Sequence, residues 1–449
     1  MMRIAGGTVV TPAGRLDADV LVSGGKIAGL VSREVEAGDQ VVDATGKLVL
    51  PGMVDVHVHT REPGFTHKED ILTTTRQAAA GGVTTIFGMP NLDPPTTTVE
   101  TLRDVLARYA ATSIVDYNHN PAATLADQVP KMAEMGIRAY KVYMVVDTGR
   151  TYPHPAGTGM HDHGDLLRMM DTIAATGKRF IVHPHDQALM DYIEGRYLGR
   201  GENTPQAYAQ AYAEREGVIW DTAIDVVLRL AEASGCPVHL AHMQTRRSVE
   251  AVRRAKARGV DVTCEVNHWM PFLSRWEHVE RLGPYALSYW VPDDAREAVW
   301  EGMRDGTIDI AASDHAPHTR EEKEIGWTRM WSSHTGTPGI QYFYPLLLDA
   351  ALSGRITLER VVDMAAETPA RTFGLPMKGA LLPGRDADIV IADPDAPWTI
   401  TDADVLSRVG WTPYAGVTCG VRIDRTFVRG VEVYGEGHVV GPPGHGQQA

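Results

Sequence analysis

Val54-Asp55-Val56-His57-Val58-His59-Thr60-Arg61 is the stretch on which the fold turns. Residues i and i+2 of a strand point to the same face, so a strand at 54–58 presents His57 together with the adjoining His59. Val54, Val56 and Val58 supply the apolar run of a strand buried within a parallel sheet. Pro51-Gly52 precedes the run and Glu62-Pro63-Gly64 ends it. An isolated His-x-His is more often two unrelated histidines. At the C-terminal end of a buried parallel strand, however, the pair stands where an α/β barrel carries its chemistry.

Working outward, strand and helix alternate from residue 51. Candidate strands fall at 54–58, 84–89, 114–118, 139–143, 179–183, 238–241, 261–265 and 308–312, with helical patterns such as 98–111, 163–177, 217–235, 245–259 and 294–305 between them. Eight βα units predict an α/β fold closed as a (β/α)8 TIM-type barrel over 51–375, in preference to an open doubly wound sheet. Residues 1–50 carry short strands separated by turns such as Gly24-Gly25, which predicts an antiparallel β unit. β character returns at 384–393, and Arg422 to Tyr434 reads as a hairpin about Gly430. The two chain ends, 1–50 plus 376–440, are expected to build one small β domain. The Gly- and Pro-rich 441–449 is expected to be a disordered tail.

A length of 449 residues accommodates a large barrel and a satellite domain. A net charge of −14 argues against nucleic acid or an anionic membrane as partner, but a local arginine can still hold a small anion. The three cysteines, Cys236, Cys264 and Cys419, are odd in number and lack zinc-type spacing, which fits a reducing cytoplasm. No signal-peptide pattern opens the chain, and no apolar stretch approaches the roughly 20 residues of a membrane span.

Ligand-type residues recur at the ends of the candidate strands. They are His57 and His59 after the first, Lys141 in the fourth, His183 ending the fifth, His239 and His242 at the sixth, and Asp314 after the eighth. Each alone has an ordinary explanation: a core histidine, an edge lysine, a turn-capping aspartate. Independent core residues have no reason to choose one rim. Four imidazoles and a carboxylate suit zinc or a related divalent ion. Five ligands exceed one tetrahedral zinc and predict two metals roughly 3.5–4 Å apart. A lysine ammonium cannot bridge them, having no lone pair, whereas a carbamate of Lys141 and carbon dioxide would offer two anionic oxygens.

With these residues in place, the chain resembles the amidohydrolase superfamily, in its cyclic amidase branch of dihydroorotases, allantoinases and hydantoinases. The resemblance spans nearly the whole chain, from Leu50-Pro51-Gly52-Met53-Val54-Asp55 to Gly384-Arg385-Asp386-Ala387-Asp388. It implies a barrel with a small β-sandwich domain. It implies that His57, His59 and Asp314 bind one metal and His183 and His242 the other, with carboxylated Lys141 between them. It selects His242, which aligns with the family's sixth-strand ligand, and leaves His239 structural, since two residues three apart in a strand face opposite sides. It further implies metal-assisted ring opening, with Asp314 as general base and then general acid.

Arg61, Asn91 and His318 resemble the dihydroorotase pattern for gripping a substrate carboxylate. Other segments lean toward hydantoinases and allantoinases, among them Asp162-His163-Gly164-Asp165. Two more depart from the family: Ser288-Tyr289-Trp290-Val291-Pro292 and Glu265-Val266-Asn267-His268-Trp269-Met270, whose aromatic residues would line a pocket or pack. The sequence thus predicts a dihydroorotase-like cytoplasmic hydrolase, a homodimer or homotetramer, with two divalent ions, zinc foremost, and a small cyclic amide as substrate. Hydantoinase, dihydropyrimidinase or allantoinase activity is the runner-up. A mononuclear deaminase-like hydrolase and an inactive scaffold are the remaining alternatives.

Overall fold

The computed structural model describes residues 1–34, 38–146, 156–286 and 293–449. At its centre lie eight strands, Met53–Val58, Val83–Gly88, Asp116–His119, Ala139–Tyr143, Arg179–His183, Val238–Leu240, Val262–Val266 and Ile310–Ala311, each followed by at least one helix. The first three pair as one parallel sheet and the last five as another. Single parallel bridges continue the pairing at both junctions: Ala122 with Lys141, and Val58 with His315. Across the second junction the Asp55 carboxylate accepts the Ser313 N–H at 2.9 Å.

Side-chain alternation explains why these segments are strands. Ala139, Ile181 and Ile310 join an inner apolar cluster with Val54, Val56, Phe87 and Phe373. Their neighbours Tyr140, Val142, Phe180 and Val182 belong to the cluster shared with the surrounding helices. The helices start where short polar side chains cap them: Thr98 accepts from the Thr101 N–H, Asp162 from that of Asp165, and Thr245 from that of Ser248.

Both chain ends contribute to a pair of packed sheets. One has four strands, in the order Lys26–Val31, Asp19–Ser23, Met2–Ala5 and Gln40–Asp43. The other has seven and sets Leu48–Pro51 beside Ile389–Asp393, so strands from opposite ends of the sequence are neighbours. Ile4, Val20, Val22, Val49, Ile389, Ile391 and Phe427 fill the shared core. The expected hairpin forms from Arg422–Val428 and Val431–Gly435. The expected antiparallel N-terminal unit forms in part: Asp19–Ser23 pairs antiparallel with Lys26–Val31 about Gly24-Gly25 and with Met2–Ala5, whereas Met2–Ala5 runs parallel to Gln40–Asp43, and Thr8–Thr11 parallel to Leu48–Pro51. The parallel pairs are joined by crossovers, which hairpin spacing does not reveal.

The expected disordered tail is also corrected. Gly446 N–H donates to Ser113 at 2.9 Å, Tyr117 N–H to Gln447 at 3.0 Å, and Ala449 N–H to Tyr117 at 2.9 Å. The segment thus pairs with the third strand, and Ala449 packs on the inner cluster. Gly446 is there for close approach, since a Cβ would stand 2.1 Å from the Val115 carbonyl oxygen. No helix among the described residues is long and apolar enough to cross a membrane.

Candidate metal centre

The first strand and its exit bring two imidazoles to one carboxylate. His57 Nε2 and His59 Nε2 each lie 3.3 Å from Asp314 Oδ1. Their other nitrogens are held by acceptors. His57 Nδ1 donates to Glu265 Oε1, and His59 Nδ1 donates to Asn91 Oδ1 at 2.7 Å. Each ring is thereby fixed as the Nδ1–H tautomer, with the Nε2 lone pair turned inward, the arrangement that metal-ligating histidines require. Asn267 Nδ2 donates to Asp314 Oδ2 at 3.3 Å.

A second pair adjoins the first. His183 Nδ1 and His242 Nε2 stand 2.8 Å apart, and the His242 ring centroid lies 6.2 Å from that of His57. His239 is not part of this set. Its Nε2 bonds Glu265 Oε2 at 3.0 Å and its Nδ1 bonds Thr263 Oγ1 at 2.9 Å, so it supports Glu265 from below the mouth. The sixth strand ends at Leu240, and His242 lies beyond it at φ 37°. Strand alternation therefore does not govern the direction of His242. Arg61 (φ 61°) and Asp314 (φ 49°) share this left-handed backbone, which costs a non-glycine residue about 1–3 kcal/mol and collects at functional sites.

Burial sets the charge states. It lowers the His59 pKa to about 3 and that of His242 to about 4, leaving both neutral and able to ligate. Burial alone would raise Asp314, but His57, His59 and His242 outweigh it and hold the carboxyl well below the usual range. Lys141 is fully buried, and its Nζ has no hydrogen-bond partner among the described residues. Burial brings its pKa down to about 8, against the pull of Glu265 and Asp314.

Whether these residues fit a metal is decided by comparison within the molecule. Among the described residues, three groups of imidazole and carboxylate atoms converge within 4.8 Å: His57, His59 and Asp314; His318, Glu322 and His334; and Asp116, Asp386 and Asp388. The second already contains the Lys68 ammonium, 2.7 Å from Glu322 Oε1. The third surrounds Lys378, which reaches Asp116, Asp386 at 2.9 Å and Asp388 at 2.8 Å. The first has no lysine or arginine ion-paired to Asp314 among the described residues. Its lone pairs and carboxylate all face inward, and a divalent cation fits that donor set.

The remaining predicted residues divide between two places. Asn91 is spent on orienting His59. Arg61 is buried, and its Nη2 lies 3.1 Å from His318 Nε2 while its Nε donates to Pro317 O at 3.2 Å. It forms no ion pair with a carboxylate among the described residues. Burial lowers its pKa only to about 10, so it remains a cation. Trp269 is buried in the core and packs there, while Tyr289 and Trp290 lie outside the described residues. Sequence reasoning missed Glu265, Asn267, Lys68 and Glu322. The available signal for Glu265 was a lone acid in the otherwise uncharged strand Val262–Val266.

Comparison with known proteins agrees with this geometry. The amidohydrolase family model matches residues 48–433. A dihydroorotase of Halobacterium salinarum is 36% identical over 402 residues, covering 88% of this chain and 89% of its own. An allantoinase of Enterococcus faecalis is 31% identical, covering 96% and 95%. The solved L-hydantoinase (dihydropyrimidinase) of Arthrobacter aurescens superposes with a TM-score of 0.92 at 29% identity, covering 100% of this chain and 99% of that one. The chain belongs to the amidohydrolase family, in the branch whose members hydrolyse cyclic amides.

Proposed function

We propose that this protein is a binuclear-metal hydrolase of a cyclic ureide or imide, of dihydroorotase type, whose substrate ring bears a carboxylate. The two sheets of parallel strands, bridged at both junctions, are read as one closed (β/α)8 barrel. His57, His59 and Asp314 would hold one ion and His183 and His242 the other, with zinc the ion that suits these donors. When bound, such a pair lowers the pKa of coordinated water and polarises an amide carbonyl.

The chain's own groups account for the rest. Lys141, desolvated and unpartnered, has neutral amine available to attack carbon dioxide. An Nζ–C bond forms, a proton leaves, and the resulting carbamate supplies the anion missing between the two histidine pairs. Asp314, ionised and steadied by Asn267, takes a proton from the attacking water and delivers it to the ring nitrogen as the C–N bond breaks. Asn91 fixes His59. Arg61, with His318 beside it, provides the carboxylate subsite.

The observation that carries the substrate class is Arg61, a buried guanidinium with no ion pair to a carboxylate among the described residues. The likeness to allantoinase and L-hydantoinase favours a second reading, in which the ring is neutral. Steady-state hydrolysis of dihydroorotate, hydantoin, dihydrouracil and allantoin by wild type and Arg61→Ala separates the two. The carboxylate reading expects Arg61→Ala to lose about 10- to 100-fold in kcat/KM on dihydroorotate and little on neutral rings. Equal losses on both would favour the second.

A further inference from the structure

The surroundings of His318 define what that residue does for Arg61. His318 is fully buried, and burial together with Arg61 and Lys68 holds its pKa well below the ordinary histidine value, so the ring is neutral. A neutral imidazole carries one N–H and one lone pair. Here both nitrogens face cationic donors: Arg61 Nη2 is 3.1 Å from Nε2, and Lys68 Nζ is 3.2 Å from Nδ1. One of the two must face a hydrogen. Lys68 has another acceptor, Glu322 Oε1 at 2.7 Å, whereas Arg61 Nη2 has no carboxylate partner among the described residues. On the same side as Lys68, Glu322 Oε2 lies 3.5 Å from His318 Nδ1 and can draw that hydrogen. His334 stacks on the His318 ring at 4.9 Å and 12° and limits its rotation.

We propose that Glu322, held by Lys68, is a positioning residue that fixes His318 as the Nδ1–H tautomer, so that its Nε2 lone pair aims the Arg61 guanidinium at the substrate carboxylate. In the free enzyme His318 then acts through Arg61. The proposal rests on the carboxylate reading of Arg61, and its test keeps the two apart.

Nitrogen NMR of 15N-histidine-labelled protein, with His318 identified by its loss in His318→Gln, reads the tautomer without any turnover. A protonated Nδ1 in wild type is expected, and a protonated Nε2 overturns the proposal. Kinetics supply the second arm. Glu322→Gln is expected to raise KM for dihydroorotate about tenfold with kcat within about twofold, to leave hydantoin unaffected, and to be rescued in part by Glu322→Asp. Loss of kcat on both substrates alike, or an unchanged KM, overturns the proposal. If Arg61→Ala discriminates acidic from neutral rings and Glu322→Gln does not, this proposal alone fails. If Arg61→Ala does not discriminate, the carboxylate reading fails, and the tautomer still decides what Glu322 does.

Discussion

Two clusters of buried ligand-type groups stand by the parallel strands, one at the start of the third and one at the end of the first, and they differ in what neutralises them. At the floor, near the first residue of the third strand, Asp116, Asp386 and Asp388 close around the Lys378 ammonium, with Arg429 also on Asp116. At the mouth, His57, His59 and Asp314 converge with no lysine or arginine ion-paired to Asp314 among the described residues. The floor is a finished ion-pair hub that ties the strands near the C-terminal end of the chain to the parallel strands. A cavity of about 630 Å³ opens beside it, but each cation lining it is already hydrogen-bonded. The mouth has a donor set that a divalent cation fits. Ligand chemistry alone does not make a metal site; the decisive feature is whether the fold has supplied its own counter-charge.

Substitutions at the two ends sharpen this contrast. The largest effect is expected at Asp314→Asn, which should lose about 100- to 10,000-fold in kcat while leaving the melting temperature close to wild type. At the floor the order reverses. Lys378→Met strands three carboxylates and should cost about 3–5 kcal/mol of stability in urea unfolding, with kcat of the folded fraction little changed. A smaller effect belongs to Glu265→Gln, which loosens His57 and should weaken metal affinity about 10- to 100-fold in competition with a chelator.

The smallest is the response to acid. Burial lowers His119 and His268 to about 3, against about 6.5 in the unfolded chain. Between these values the unfolded state binds more protons, so stability rises with pH and is lost on acidification below about pH 6.5. The loss is at most about 1.4 kcal/mol per pH unit for each imidazole. Asp386 is desolvated, but Lys26 and Lys378 hold it below the ordinary range, and its contribution is lost only as pH falls through the carboxylate region. Amide hydrogen exchange at pH 5.5 should therefore increase near His268 before it does near Asp386. Loss of protection at the floor first would break the comparison.

Much of the mouth was legible in the sequence, because strand ends are set by local patterns. The alternation of Val54, Val56 and Val58 fixed the rim on which His57 falls, and the eight strands lie within two residues of their expected bounds. What holds the ligands was not legible. Glu265 reaches His57 and His239 on two other strands, and Lys68 meets Glu322 from 254 positions away, as their numbers show; such pairings exist only after the chain closes. The tail misled for a different reason. Gly446 reads as flexibility in composition, yet it is a glycine because the Val115 carbonyl leaves no room for a Cβ. The parallel pairing of Met2–Ala5 with Gln40–Asp43 was hidden because turn residues announce hairpins and say nothing of crossovers.

The central claim, that of the three clusters among the described residues only the mouth has no lysine or arginine in ion-pair contact, is tested most directly by the metal content of protein purified without chelator or added metal. The account predicts about two divalent ions per chain in wild type, unchanged in folded Lys378→Met and lost in a His57→Ala, His59→Ala double variant. One ion or none in wild type, or ions that leave with Lys378, would contradict it.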